Sequence, residues 1–254
     1  LIALVAINAG QSSSFVVMYF FMVPITFALC SALFLAFHYV TGAMTEASCS
    51  RVSLVHHVVA MILGLWVHWQ HWERVREDAS FGANDDFPSA VVLQHFNIGY
   101  FLYDSVHVAV WDQKWLIHHC VALAGYTTSE MAGVFALANA VNTWVTELGS
   151  LMYSTYLTLR LPWMYTLFVV FYTISRVYFA IWSYTVLCQV WHALFKAGTP
   201  ARAATAYPSW APYCAATLQV SLLVVNLIFL LTHWRKLCKK YAGSSRTAAA
   251  RKED

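Results

Sequence analysis

Apolar positions along this chain gather into seven runs, at residues 15–40, 52–71, 90–110, 115–131, 133–158, 163–190 and 210–235. About 20 residues of helix cross a hydrocarbon core roughly 30 Å thick. A single run of this kind fits a buried helix in a large soluble protein, but seven in one chain do not. The pattern predicts an all-α fold, a polytopic transmembrane helix bundle of about seven helices. The bounds are six and eight, because the fourth run is short and the polar stretch Thr127–Glu130 that divides it from the fifth carries no proline.

Polar and turn-forming residues separate the runs: Thr41-Gly42 and the stretch to Arg51, the charged segment Glu73–Asp86, Asp112-Gln113-Lys114, Leu161-Pro162, and Ala197–Pro208. Trp69, Trp72, Trp111, Trp115, Trp163, Trp191, Trp210 and Trp234 fall near predicted helix ends, where an amphipathic ring prefers the membrane interface. The expected organisation is an N-terminal segment at 1–14, a transmembrane domain at 15–235 and a basic C-terminal tail at 236–254, with no internal repeat.

Composition agrees, since 60% of the 254 residues are hydrophobic and only 11% charged, against roughly a quarter charged in ordinary soluble domains. With seven crossings, one face receives Arg51, Lys114, Arg160 and the tail residues Arg235, Lys236, Lys239, Lys240, Arg246, Arg251 and Lys252. The positive-inside rule puts that face, and the C-terminus, in the cytoplasm or its organellar counterpart. The net charge of +3 is concentrated in the tail, so it points to anionic headgroups and not to nucleic acid. The closing Arg251-Lys252-Glu253-Asp254 is similar to a dibasic retrieval signal, which makes the endoplasmic reticulum the expected membrane, with mitochondrial or other organelle membranes as alternatives. The six cysteines contain no CxxC pair and read as packing residues.

Ionisable residues inside the runs carry the functional signal, because a charge at the bilayer centre costs about 2.5–3.5 kcal/mol on insertion scales. They are His56, His57, Asp104, His107, His118, His119, Glu147 and Arg176. Counted at 1.5 Å per residue, the histidines and Asp104 fall within about 10 Å of the basic face, with Glu147 and Arg176 about 20 Å deep. Glu147 and Arg176 flank the turn at Leu161 almost symmetrically and are expected to pair across adjacent helices.

Three chemistries suit such histidines. One is general-base catalysis of acyl transfer, with His118 or His119 as base, Asp104 orienting it, and His56, His57, His107, Glu147 and Arg176 shaping a substrate chamber. Adjacent residues on a helix point about 100° apart, so one of His118 and His119 acts and the other supports it. The second is metal binding. His68-x-x-His71 puts two imidazoles on one helix face, but at the opposite membrane edge, and the HxxxH and HxxHH boxes of membrane di-iron oxygenases are absent, so no metal is expected. The third is hydrogen bonding between helices. A retinal pigment is excluded because no lysine falls within a predicted span, and the lack of a repeat argues against a transporter.

Five strings carry a family resemblance: Arg51-Val52-Ser53-Leu54-Val55-His56; Ile98-Gly99-Tyr100-Phe101-Leu102-Tyr103-Asp104; Leu116-Ile117-His118-His119 with Ala122-Leu123; Thr146-Glu147-Leu148; and Arg176 with Tyr178-Phe179. In order and spacing, over about residues 15–235, the chain resembles the TLC domain family of ceramide synthases, translocating-chain-associated membrane proteins and small TLC domain-containing proteins. The ceramide synthases carry a paired histidine implicated in N-acyl transfer from acyl-CoA, which the resemblance places on His118 and His119. Downstream they carry two aspartates where this chain has Asn139, Asn142 and Glu147, so the resemblance is nearer to the small TLC domain-containing proteins. It implies a role in lipid metabolism or homeostasis, as an acyltransferase-like enzyme or a lipid-binding protein. The alternative is a non-catalytic accessory subunit of a larger membrane complex. No resident cofactor is expected, and acyl-CoA enters only as a co-substrate. The expected partners are membrane lipids and either further copies of the chain or a larger complex.

Overall fold

A computed structural model describes residues 13–42, 45–78, 82–111, 113–195 and 207–250. The segment 1–12, Asp112 of the fourth-run turn, residues 197–206 of the last loop and the tetrapeptide 251–254 lie outside the described residues. The long helices are α1 (Ser13–Thr41), α2 (Thr45–Gln70), α4 (Pro88–Trp111), α5 (Gln113–Ala132), α6 (Ala136–Leu159), α7 (Pro162–Phe195) and α8 (Ala211–Ala250), with a short α3 (Trp72–Asp78) and a 3-10 turn at Asn84–Asp86 after α2. They coincide with the seven predicted runs. Two boundaries move substantially: α2 begins at Thr45 and not at 52, and α8 continues helical past 235, so the basic tail extends the last helix through Ala250.

Among the described residues, four segments are long and apolar enough to cross a membrane: Phe21–Val40, Thr45–Gln70, Pro162–His192 and Ala211–Ala242. Helices α4, α5 and α6, at 24, 20 and 24 residues, are long enough to reach across a bilayer. They fall below that apolarity because they carry many buried polar side chains, among them Gln94, His95, Asn97, Asp104, His119, Glu130, Thr143 and Glu147. Large apolar side chains such as Phe21, Val110, Ile117, Ile181 and Leu231 point outward, as lipid-facing residues do in a bundle whose polar groups turn inward.

Six helices close a ring in which α2 packs on α6, α6 on α7, α7 on α8, α8 on α5, α5 on α4 and α4 on α2. Helix α1 lies outside the ring against α4 and α2. Two glycines set the closest approaches. A Cβ on Gly64 would sit 2.8 Å from Trp144 Cβ, and one on Gly99 would sit 2.6 Å from the Val23 carbonyl oxygen, so each lets two helix backbones meet as small residues do in membrane interfaces.

The chain chemistry at the helix ends is local. Pro88 and Pro162 open α4 and α7, where the missing N–H is no loss. Arg160 ends α6 in the left-handed region at φ 55°, its N–H bonded to the Tyr156 carbonyl. The α5–α6 turn falls at Gly133 (φ 67°) through Phe135 (φ 79°), and not at the polar stretch Thr127–Glu130, which lies inside α5. Asn84, from the loop after α3, holds that turn. Its Oδ1 accepts from the Ala136 N–H at 2.9 Å and its Nδ2 donates to the Ser129 carbonyl at 3.1 Å, while Ser129 Oγ donates to the Val134 carbonyl at 2.6 Å.

Candidate functional site

Inside the ring, toward the end where α2, α5 and α7 begin and α4 and α6 finish, lies a cavity of about 330 Å³. Its deep wall holds His57, Tyr100 and Glu147, its middle Asp104, His118 and His119, and its mouth Glu46 and Leu157. At the rim, Glu46 and Arg160 form a long ion pair at 3.9 Å between exposed side chains. This is the end at which the basic residues gather.

Asp104 Oδ2 lies 3.4 Å from His119 Nε2, joining α4 to α5. Both side chains are nearly enclosed, and His119 Nδ1 is buried without a hydrogen-bond partner. A carboxylate at Nε2 favours the proton there, which leaves the lone pair on Nδ1. The contact is longer than a good hydrogen bond, as catalytic contacts often are before a ligand tightens them. His118 sits on the same wall, its ring 5.9 Å from that of His119 and 6.3 Å from Phe101. His107 reaches the cavity past Tyr103 and Phe34, at ring distances of 4.7 and 4.9 Å.

The expected pair of Glu147 with Arg176 does not form. His57 Nδ1 is in direct contact with Glu147 Oε2, and His56 Nε2 lies 3.9 Å from Glu147 Oε1. Arg176 turns instead to the Thr146 carbonyl at 3.0 Å and Ser175 Oγ at 2.9 Å, with its guanidinium 4.1 Å above the Tyr172 ring. The cause is a helix boundary. Because α2 starts at Thr45 and not at 52, His57 sits about 18 Å from that end, level with Glu147 at about 18 Å from the end of α6. The two layers expected from sequence therefore regroup, with His56, His57 and Glu147 deep and Asp104 and His119 about 10 Å from the helix ends.

His56 and Arg176 stand behind the cavity wall. His56 stacks on Tyr100 at 3.5 Å between ring centres and on Phe96 at 5.0 Å, while Arg176 backs Tyr172, itself a wall residue. His68 and His71 line one pocket at the opposite end of α2, but their rings turn to different partners. His68 accepts from Trp144 Nε1 at 2.9 Å and stacks on Trp72, whereas His71 faces Ser89 and Phe87. His71, outside the span, is held below its ordinary imidazole pKa by burial.

A third buried carboxylate–imidazole contact lies away from the cavity, at residues the sequence reading did not single out. His95 Nε2 lies 3.0 Å from Glu130 Oε1, and Gln94 Nε2 donates to the same oxygen. Asn139 in turn donates to Gln94 Oε1 at 2.7 Å. The available signal was the Gln94-His95-Phe96-Asn97 string, three polar residues in four inside an apolar run. Asn139 and Asn142 also face away from the cavity, the latter exchanging hydrogen bonds with Gln219 of α8.

The profile of the TLC domain matches residues 46–235. No curated protein and no solved structure matches the chain. The match runs through the six-helix ring from the first turn of α2 to residue 235 of α8, and α1 precedes it. The chain belongs to the TLC domain family, and it is a membrane protein with an all-α fold.

Proposed function

We propose that this TLC domain protein handles a membrane lipid in the ring cavity, and that the Asp104–His119 pair serves there as the base for acyl transfer. The observation that supports this most is the 3.4 Å carboxylate–imidazole contact on the wall of a 330 Å³ cavity. In the reaction, His119 Nδ1 takes the proton from an attacking amine or hydroxyl of the acceptor lipid. The nucleophile adds to the thioester carbonyl of an acyl-CoA, and the thiol leaves with a proton returned by the imidazolium. Asp104 fixes the ring and stabilises the imidazolium. His118 and His107 line the path, and His57 and Glu147 close its deep end. An acyl-CoA is anionic, and the cavity opens at the end bearing Arg51, Arg160 and the basic continuation of α8. The endoplasmic reticulum is the proposed membrane.

The test is turnover by purified protein in nanodiscs, with a panel of acyl-CoA donors and lipid acceptors. His119→Ala should abolish turnover and Asp104→Asn should lower it on the order of 10²-fold, with Asp104→Asn, which keeps the shape and removes the charge, melting near the native protein. If both variants lose stability together and no donor is consumed, the pair is structural.

A second reading, an accessory subunit that keeps the fold without the chemistry, draws on Asn139 and Asn142. They stand where the ceramide synthases carry aspartates, and both tie helices together away from the cavity. It predicts that the chain migrates only within a large assembly in mild detergent, whereas free monomer or dimer contradicts it.

A further inference from the structure

Glu147 is nearly fully enclosed, and the one arginine at its depth is turned to backbone and hydroxyl oxygens elsewhere. A carboxylate in such a place requires compensating positive charge. What meets it is two imidazoles: one oxygen touches His57 Nδ1, the other lies 3.9 Å from His56 Nε2, and one ligand atom from each of the three residues falls within 4.8 Å of the others. His56 is 2% exposed, and neither of its ring nitrogens makes a hydrogen bond. That is a costly condition for a polar group unless something else occupies it. Tyr100 and Phe96 clamp the ring from its faces, which fixes the direction of its nitrogens and leaves their lone pairs in the ring plane.

We propose that His56, His57 and Glu147 form a divalent transition-metal site, with zinc the best chemical match. Two imidazoles and one carboxylate make the donor set of zinc sites that keep a fourth position open. Bonds of about 2.0–2.2 Å at a tetrahedral ion hold donor atoms roughly 3.3–3.6 Å apart; His56 Nε2 and Glu147 Oε1 are a little wider than that at 3.9 Å, and the direct His57–Glu147 contact is closer, so the ion replaces that contact. Adjacent histidines on one helix can share the ion because one offers Nε2 and the other Nδ1, so their different reach offsets the roughly 100° between their directions. No HxxxH spacing marks the site, since its third ligand comes from α6.

His57 and Glu147 are wall residues, so the open position of the ion faces the cavity, where a carbonyl, phosphate or water oxygen can complete it. Another buried carboxylate–imidazole contact, His95 with Glu130, supplies one imidazole and has Gln94 on the same carboxylate oxygen. It is not part of a three-donor cluster among the described residues and serves as the internal control.

The experiment is zinc binding by the intact protein in detergent, stripped with chelator and titrated with Zn²⁺ alone, read by elemental analysis after desalting and by melting temperature. Co²⁺ replaces it for visible ligand-field absorption. The expected result is one ion per chain, a rise in melting temperature on Zn²⁺ addition, and tetrahedral or five-coordinate Co²⁺ bands. His57→Ala and Glu147→Gln should each weaken binding at least 10-fold and abolish the temperature rise, while Glu130→Gln and the double variant His68→Ala/His71→Ala leave binding unchanged. Glu147→Gln preserves shape, and His57→Gln offers a second folded variant. Absence of stoichiometric zinc in the folded native protein overturns the proposal, as does binding that survives both Glu147→Gln and His57→Gln. None of these readings requires turnover, so failure here is distinct from failure of the acyl-transfer reading.

Discussion

Replacing Glu130 by alanine probes the polar half of the bundle that lies away from the cavity. Glu130 is 7% exposed and its partners His95 and Gln94 are 0% and 1% exposed. The substitution strips a fully enclosed imidazole and a fully enclosed amide of their common acceptor, His95 Nε2 having stood 3.0 Å from it. Removing one partner of a buried pair costs about 3–5 kcal/mol, mostly because the other is left uncompensated. At about 2–4 °C per kcal/mol for a domain of this size, the apparent melting temperature should fall on the order of 6–20 °C. Fluorescence-detected size exclusion after a temperature series in detergent measures it directly. Glu130→Gln, which keeps an acceptor for Gln94, should lose markedly less. If Glu130→Ala melts within about 2 °C of the native protein, buried polar contacts do not hold these helices and the packing account of α4, α5 and α6 is wrong.

Three further outcomes follow from single contacts. Asn84→Ala removes the acceptor for the Ala136 N–H and the donor to the Ser129 carbonyl, and should lower the apparent melting temperature by several degrees, about 1–3 kcal/mol for a buried cap. Gly64→Val drives a side chain into Trp144 Cβ and the Ala140 carbonyl, so α2 and α6 must separate; overpacking of about 1–3 kcal/mol should appear as a lower melting temperature, and Gly125→Ala, whose Cβ meets nothing within 4 Å, is the control. Glu46→Gln breaks only an exposed pair at 3.9 Å and should shift melting by less than about 1 kcal/mol equivalent.

The helices were legible in the sequence because lipid-facing positions must be apolar and turns must not be; Pro88, Pro162 and Gly133 sit where chain chemistry puts helix ends. The site was only half legible. Asp104 with His119 follows from residue type and depth, since two ionisable groups near the same face of adjacent helices have few other partners. The assignment of Glu147 to Arg176 failed because depth was counted from the apolar edge of α2 at 52. The polar first turns from Thr45 are helical too, and they move His57 about 11 Å deeper by the helical rise. Glu130 looked like part of a turn because a carboxylate inside a helix is indistinguishable from one in a loop until its partner, on another helix, is known.

The most direct test of a lipid-handling cavity is native mass spectrometry of the protein released from nanodiscs, comparing it with Ser150→Trp, which builds an indole into the cavity wall. The account predicts a lipid or acyl-CoA adduct on the native chain that is lost in Ser150→Trp, with both proteins folded and equally stable. An adduct of the same mass and occupancy on both, or none on the native chain over the whole panel of lipids, contradicts it.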